Sequence, residues 1–268
     1  MGDAPATARP VTPESLAALA GSIARDAGAL LLDFFAGPRR DVTAKSTPTD
    51  QVSAADLSAE RLIRQRLAEV RPDDAVLGEE GDDFEPDRPT GLRWVVDPLD
   101  GTTNFLYGIP DWAVSIAVED SGRRTLAGVV FDPSRNQLWA ATHDGPPTLD
   151  GRIIAASECD DLTRALVATG FAYDHLVRER QAAVIAGLLG QVRDIRRVGS
   201  AALDLAWTAA GRYDAYYERG VQAWDVAAGQ LLCERAGLAV SHLAPEPPVP
   251  GGLLVAAPAI LAPLEALL

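Results

Sequence analysis

The chain has 268 residues, 47% of them hydrophobic, with a formal net charge of -14 and a pI near 4.6. That apolar content excludes a largely disordered protein and suffices for one large domain or two closely packed halves. The acidic balance disfavours nucleic acid as a partner; it would also repel a small phosphorylated ligand unless bound cations reversed the local field.

Residues 1 to about 11 read as a tail. They lack the basic and then apolar pattern of a secretion signal, and Ala6 stands where a myristoylation signal needs Ser or Thr. Thr12-Pro13 marks a helix start, with Thr as N-cap and Pro at the first helical position. Leu16, Leu19, Ile23, Ala27, Leu30, Leu31 and Phe34 follow at helical spacing until Gly37-Pro38 stops the run. A polar loop (44–50) contains Lys45. Ser53 then caps a second helix, predicted to bury Leu57, Leu62, Ile63, Leu67 and Val70, with Asp56 in its first turn.

Ala75 to Gly78 is a short strand leading into Glu79-Glu80 and an acidic loop. The apolar run Trp94-Val95-Val96 predicts a buried strand that ends in a turn opened by Asp97-Pro98, and Thr102 or Thr103 can start a helix. Strands follow at 112–119, 127–131 and 137–141, so residues 12–145 read as helices and then an antiparallel sheet. Beyond His143 to Pro147 strands and helices alternate. Strands are predicted at 165–168, 195–198, 213–217, 238–241 and 253–256, and helices at 178–189, 201–210, 225–235 and 259–267. Residues 146–268 therefore read as an α/β half. The apolar tract from Gly251 is broken by Pro258 and Pro263 and is too short to span a membrane, so a soluble cytoplasmic protein without a membrane partner is expected. Cys159 and Cys233 suggest neither a disulfide framework nor a zinc site, and His143, His175 and His242 are scattered.

Several acids stand where a strand ends or a helix begins. Asp-Pro-Leu-Asp-Gly at 97–101 is a good surface turn, yet it also sets two carboxylates and the Leu99 carbonyl beside Gly101, whose backbone can approach a ligand. Taken singly, Glu79-Glu80 reads as a solvated pair, Asp225 as a helix cap and Glu218 as a strand-end acid facing water. Taken together, Glu79, Asp97, Asp100 and Asp225 would repel strongly unless cations neutralised them, and an oxygen-only ligand set points to Mg²⁺ rather than zinc.

The motifs Gly78-Glu79-Glu80, Asp97 to Phe105 and Trp224-Asp225-Val226-Ala227-Ala228-Gly229 resemble those of the inositol monophosphatase family, Mg²⁺-dependent and Li⁺-sensitive phosphatases. Lys45 to Asp50 and Arg197 to Ala202 are similar to family segments too, while His143 to Asp150 departs from the family's usual turn. The resemblance implies a layered sandwich of alternating helices and sheets, shared with fructose-bisphosphatases, and a homodimer. It implies that Glu79, Asp97 and the Leu99 carbonyl hold one Mg²⁺, and that Asp97, Asp100 and Asp225 hold a second. A weaker third ion would lie between Glu79 and the mobile Lys45 loop. Thr102, bonded to Asp56, would orient the attacking water near Glu79 and Glu80. Gly101 and Thr102 N–H groups would bind the phosphate, and Asp100, Ser200, Ala201 and Glu218 would face the alcohol. Branches of the family acting on histidinol phosphate or 3′-phosphonucleotides commonly carry Lys where this chain has Thr103. The expected substrate is therefore myo-inositol 1-phosphate, with histidinol phosphate and fructose 1,6-bisphosphate as alternatives. A binding or regulatory protein on the same fold is the expectation from another class, and it predicts a broken metal ligand. No ligand position is broken.

Overall fold

The computed structural model describes residues 11–37, 42–44, 51–81 and 83–268. Helix α1 (Pro13–Ala36) begins at a Thr12 cap closed by Ser15. By length and composition it could cross a bilayer, but Leu16, Ala20, Ile23, Ala24, Ala27 and Leu31 are buried in the core. Strands β1 (Val42–Ala44) and β2 (Gln51–Ser53) pair antiparallel and lead into α2 (Ala54–Val70). The Lys45 loop lies outside the described residues. The buried face of α2 is Ala55, Ala59, Ile63 and Leu67, joined by Asp56 and Glu60, and not the predicted Leu57 and Val70, which are exposed. A four-residue repeat keeps Ala55, Ala59, Ile63 and Leu67 on one stripe, and Leu57 and Val70 fall outside it.

The first sheet orders seven strands: β3 (Ala75–Gly78), β4 (Arg93–Asp100), then, after helix α3 (Thr102–Tyr107), β5 (Ala113–Glu119), β6 (Thr125–Asp132), β7 (Gln137–Thr142), β8 (Thr148–Leu149) and β9 (Arg152–Ile153). It is antiparallel except for β3, which runs parallel to β4 at the edge. The sheet continues past residue 145, because the short hairpin β8–β9 pairs onto β7. Side chains alternate between two cores: Trp94, Val96, Val114, Ile116 and Val118 face α1 and α2, whereas Val95, Ala113, Ala117 and Val130 face the opposite layer.

A 3-10 turn (Leu162–Arg164) opens the remainder. It is followed by β10 (Leu166–Thr169), α4 (His175–Leu188), β11 (Asp194–Arg196), α5 (Ala201–Ala209), β12 (Ala215–Arg219), α6 (Ala223–Arg235), β13 (Ala239–Leu243), β14 (Gly252–Ala256) and α7 (Pro258–Glu265). The second sheet runs β11-β10-β12-β14-β13, parallel around β10 and antiparallel at β14. Helices α5 and α6 lie between the two sheets, and α7 packs on β13 and β14. The fold is thus a layered sandwich of alternating helices and sheets, with α4 and α7 on the outer face of the second sheet. The close approach of α6 to the first sheet depends on Gly128, where a Cβ would lie 2.8 Å from the Ala228 Cα.

Candidate active site

The site forms where β4 ends. Residues three apart on a regular strand face opposite sides, so Asp97 and Asp100 should diverge. A bulge prevents this: Asp97 pairs with Ser115 and Asp100 with Ala113, three steps on β4 against two on β5. Pro98, which has no N–H to give the ladder, sits inside the irregularity. The strand therefore runs on to Asp100, past the turn predicted at Asp97-Pro98, and delivers both carboxylates to one cleft. Gly101 then takes a left-handed conformation (φ 93°) as the N-cap of α3. An added Cβ would meet the Asp111 carbonyl at 2.9 Å, so glycine is required twice over there.

The cleft has a volume of about 430 Å³. Glu79, Asp97, Leu99, Asp100, Gly101, Thr102, Ala201, Glu218 and Asp225 all line it. They come from the C-terminal ends of β3, β4 and β12 and the starts of α3, α5 and α6. The Trp224 carbonyl accepts a hydrogen bond from Ser115 Oγ (3.2 Å), which pins the start of α6 opposite Asp97 on β5. Asn104 Nδ2 donates to the carbonyls of Asp111 (2.7 Å) and Val198 (3.0 Å), tying α3 to the loop before α5. Asp100 Oδ2 accepts from Ser200 Oγ (2.5 Å) and the Ala202 N–H (2.7 Å). Ser200 is itself 1% exposed, so its hydroxyl serves Asp100 and only Ala201 reaches the cleft wall. Thr102 Oγ1 lies 2.9 Å from Asp56 Oδ1 and 3.0 Å from the Leu99 carbonyl, and can donate to one at a time. Asp56 is fully buried at the start of α2. The Glu80 N–H is held by Glu60 Oε2 at 2.7 Å, and Glu80 is not part of the cleft wall.

Electrostatics mark the cluster as unfinished. Burial, then Glu79, Asp100 and Asp225, push the Asp97 carboxyl well above its ordinary range, and a hydrogen bond to Glu79 adds to this. Asp225 is raised by burial and by Asp100, against the opposing bond from the Gln222 N–H. Burial lifts Asp100 to about 6, although Ser200 and the Ala202 N–H pull it down. Glu218 sits within β12, half-buried rather than facing water, and rises to about 7 through burial and Asp100, while the Tyr216 hydroxyl lowers it. Two charges 4 Å apart repel by about 4 kcal/mol at a protein's effective dielectric. A single hydrogen bond returns only about 1 kcal/mol. Such carboxylates must therefore take up protons or cations.

Among the described residues no three His, Cys, Asp or Glu side chains are placed to hold a metal ion as they stand. Asp97 is turned onto the Leu99 N–H (2.9 Å), Asp100 onto α5 and Asp225 onto Gln222. The donor set still fits a hard divalent cation, since four carboxylates and one carbonyl face one cleft and rotation of side chains, not backbone, would free their oxygens. The sequence reading missed Arg197, Tyr173 and Gln222 as lining residues. Only Arg197 gave a signal, as a cation just before Gly199 in a segment already matched to the family.

The family model for the inositol monophosphatase family matches residues 12–267. The inositol-1-monophosphatase of Mycobacterium leprae is 44% identical over 262 residues, covering 91% of this chain and 90% of that protein. Nus factor SuhB of Xylella fastidiosa is 42% identical over 215 residues, 80% of this chain and 77% of that one. The crystal structure of the suppressor protein SuhB from Bartonella henselae superposes with a TM-score of 0.84 at 32% identity, covering 93% of this chain and 96% of that one. With acids from both halves on one cleft and a match spanning both, the chain belongs to the inositol monophosphatase family, a family of metal-dependent phosphoric monoester hydrolases.

Proposed function

We propose that the chain hydrolyses small polyol phosphate monoesters, myo-inositol 1-phosphate foremost, by direct attack of water with Mg²⁺ as the metal. The observation that carries this reading is the single cleft shared by Glu79, Asp97, Asp100, Asp225 and Leu99 with Gly101, Thr102 and Glu218. Glu79, Asp97 and the Leu99 carbonyl would hold one ion, and Asp97, Asp100 and Asp225 would hold another. When bound, the ions supply Lewis acidity toward water and toward the departing oxygen. Thr102, with its proton given to Asp56, turns an oxygen lone pair toward the water and orients it. The Gly101 and Thr102 N–H groups bind phosphate oxygens, and Glu218 accepts hydrogen bonds from ring hydroxyls.

Glu218 and Thr103 favour a polyol over histidinol phosphate. A panel of inositol 1-phosphate, histidinol phosphate and fructose 1,6-bisphosphate assayed with Mg²⁺ tests this: the highest kcat/KM is expected for the inositol ester, and a higher value for histidinol phosphate would overturn the assignment. Li⁺, close to Mg²⁺ in size with half the charge, is expected to inhibit. A homodimer is expected by sedimentation. Some relatives are named Nus factor, which favours a second, partner-binding role alongside turnover. That role is compatible with an intact ligand set and predicts that Asp97→Asn keeps it while losing phosphate release.

A further inference from the structure

A second cavity, of about 410 Å³, lies beside the cleft, and Phe171 and Arg219 line both. Its wall carries donors that the protein uses only in part, from Arg180, Gln181 and Arg219, against one exposed acid, Glu246. The Ala172 N–H donates to Gln181 Oε1 at 3.0 Å, which fixes the amide so that its NH₂ group turns away from that bond. Gln181 lines the cavity and is only 8% exposed. The Arg180 guanidinium beside it makes no ion pair or hydrogen bond among the described residues. Arg219 gives Nη1 to the Ala244 and Pro250 carbonyls (2.9 and 3.2 Å), while its Nη2 stands 3.8 Å from Glu246, a side chain 77% exposed. Val184, Tyr217 and Pro248 add apolar wall. Surplus donors over an apolar surface match a ligand with an acceptor-rich anionic head and a flat apolar body.

The two cavities are separated by one strand. Along β12, Tyr216 and Glu218 share a face, the Tyr216 hydroxyl donating to Glu218 Oε2 at 3.1 Å. Tyr217 and Arg219 share the other face, which lines the second cavity. Gly170, next to Phe171, lies so close to Glu218 that a Cβ there would stand 2.0 Å from Oε2. Movement of Phe171 or Arg219 is therefore transmitted to the Glu218 carboxylate through backbone and direct contact.

We propose that this cavity binds an oxyanion carried on a flat apolar body, and that its occupancy alters the substrate end of the catalytic cleft through Arg219, Phe171 and Glu218. The binding part stands on its own; the coupling part rests on the proposed phosphatase activity.

The probe is 2-naphthoate, titrated calorimetrically into the full chain with Mg²⁺ and inorganic phosphate present to fill the cleft. One saturable site is expected. Arg180→Glu should weaken it by about tenfold or more, the worth of one charge-assisted hydrogen bond. Val184→Trp, which fills the cavity, should abolish it while circular dichroism shows the native fold. The uncharged 2-naphthamide should bind more weakly. Naphthoate binding that survives both substitutions would overturn the site. In turnover assays naphthoate should shift KM for the inositol ester in the wild type and not in Val184→Trp. An unchanged KM with binding intact would overturn the coupling alone.

Discussion

Asp97 has the hardest task of any side chain in the cleft, because it is 1% exposed and carries the field of three other carboxylates. Replacing it with Asn keeps the shape and removes the charge that the two proposed ions would share. Asp97→Asn is expected to lower Mg²⁺-dependent phosphate release by about 100-fold or more, read from initial rates across a Mg²⁺ titration. Thr102→Val removes the hydroxyl bonded to Asp56 without removing a metal ligand, so kcat should fall by about 100-fold while the Mg²⁺ midpoint stays put. At this scale the acids were legible because each stands at an element end in a local motif. Tyr173 and Gln222 were not, because nothing in their own neighbourhood marks a side chain as facing a cleft built by distant strands.

Among the elements, β4 and the start of α3 set the geometry. Gly101→Ala must place a Cβ in a left-handed conformation, costing about 1–2 kcal/mol, and push it into the Asp111 carbonyl. Loss of activity with a lowered urea midpoint is expected. The other end of β4 is anchored by Asp74, which accepts from Trp94 Nε1 at 2.9 Å and from Arg71 and Thr90. Asp74→Ala leaves the fully buried Trp94 donor unpaired, so urea unfolding should show a loss of about 1–3 kcal/mol. Periodicity revealed α1, β3 and most strands of the first sheet, since their burial follows local repeats. On α2 it found Ile63 and Leu67 but missed Ala55 and Ala59, small residues that carry the start of the buried stripe, and it missed the β4 bulge, which depends on pairing with β5. The two-residue strands β8 and β9 are too short to leave a repeat.

For the molecule as a whole, the clustered acids link stability to pH and to metal. Asp100 and Glu218 move from ordinary values of 3.8 and 4.5 up to about 6 and about 7. Across that window the folded state holds protons that the unfolded chain has released, so stability falls as pH rises through it. Thermal unfolding in chelator should therefore show Tm dropping from pH 5 to pH 8. Mg²⁺ should raise Tm more at pH 8 than at pH 5, because it binds the ionised cluster. A flat profile with no metal effect would contradict the electrostatic account. The central claim is that Asp225, on α6 of the second half, meets Asp97 and Asp100 of the first around shared cations. The most direct test is phosphate release from inositol 1-phosphate as Mg²⁺ is titrated into the wild type and into Asp225→Asn. The account predicts saturable activation in the wild type, and in the variant a midpoint at least about tenfold higher with reduced kcat. Turnover that ignores Mg²⁺, or two superimposable curves, would contradict it.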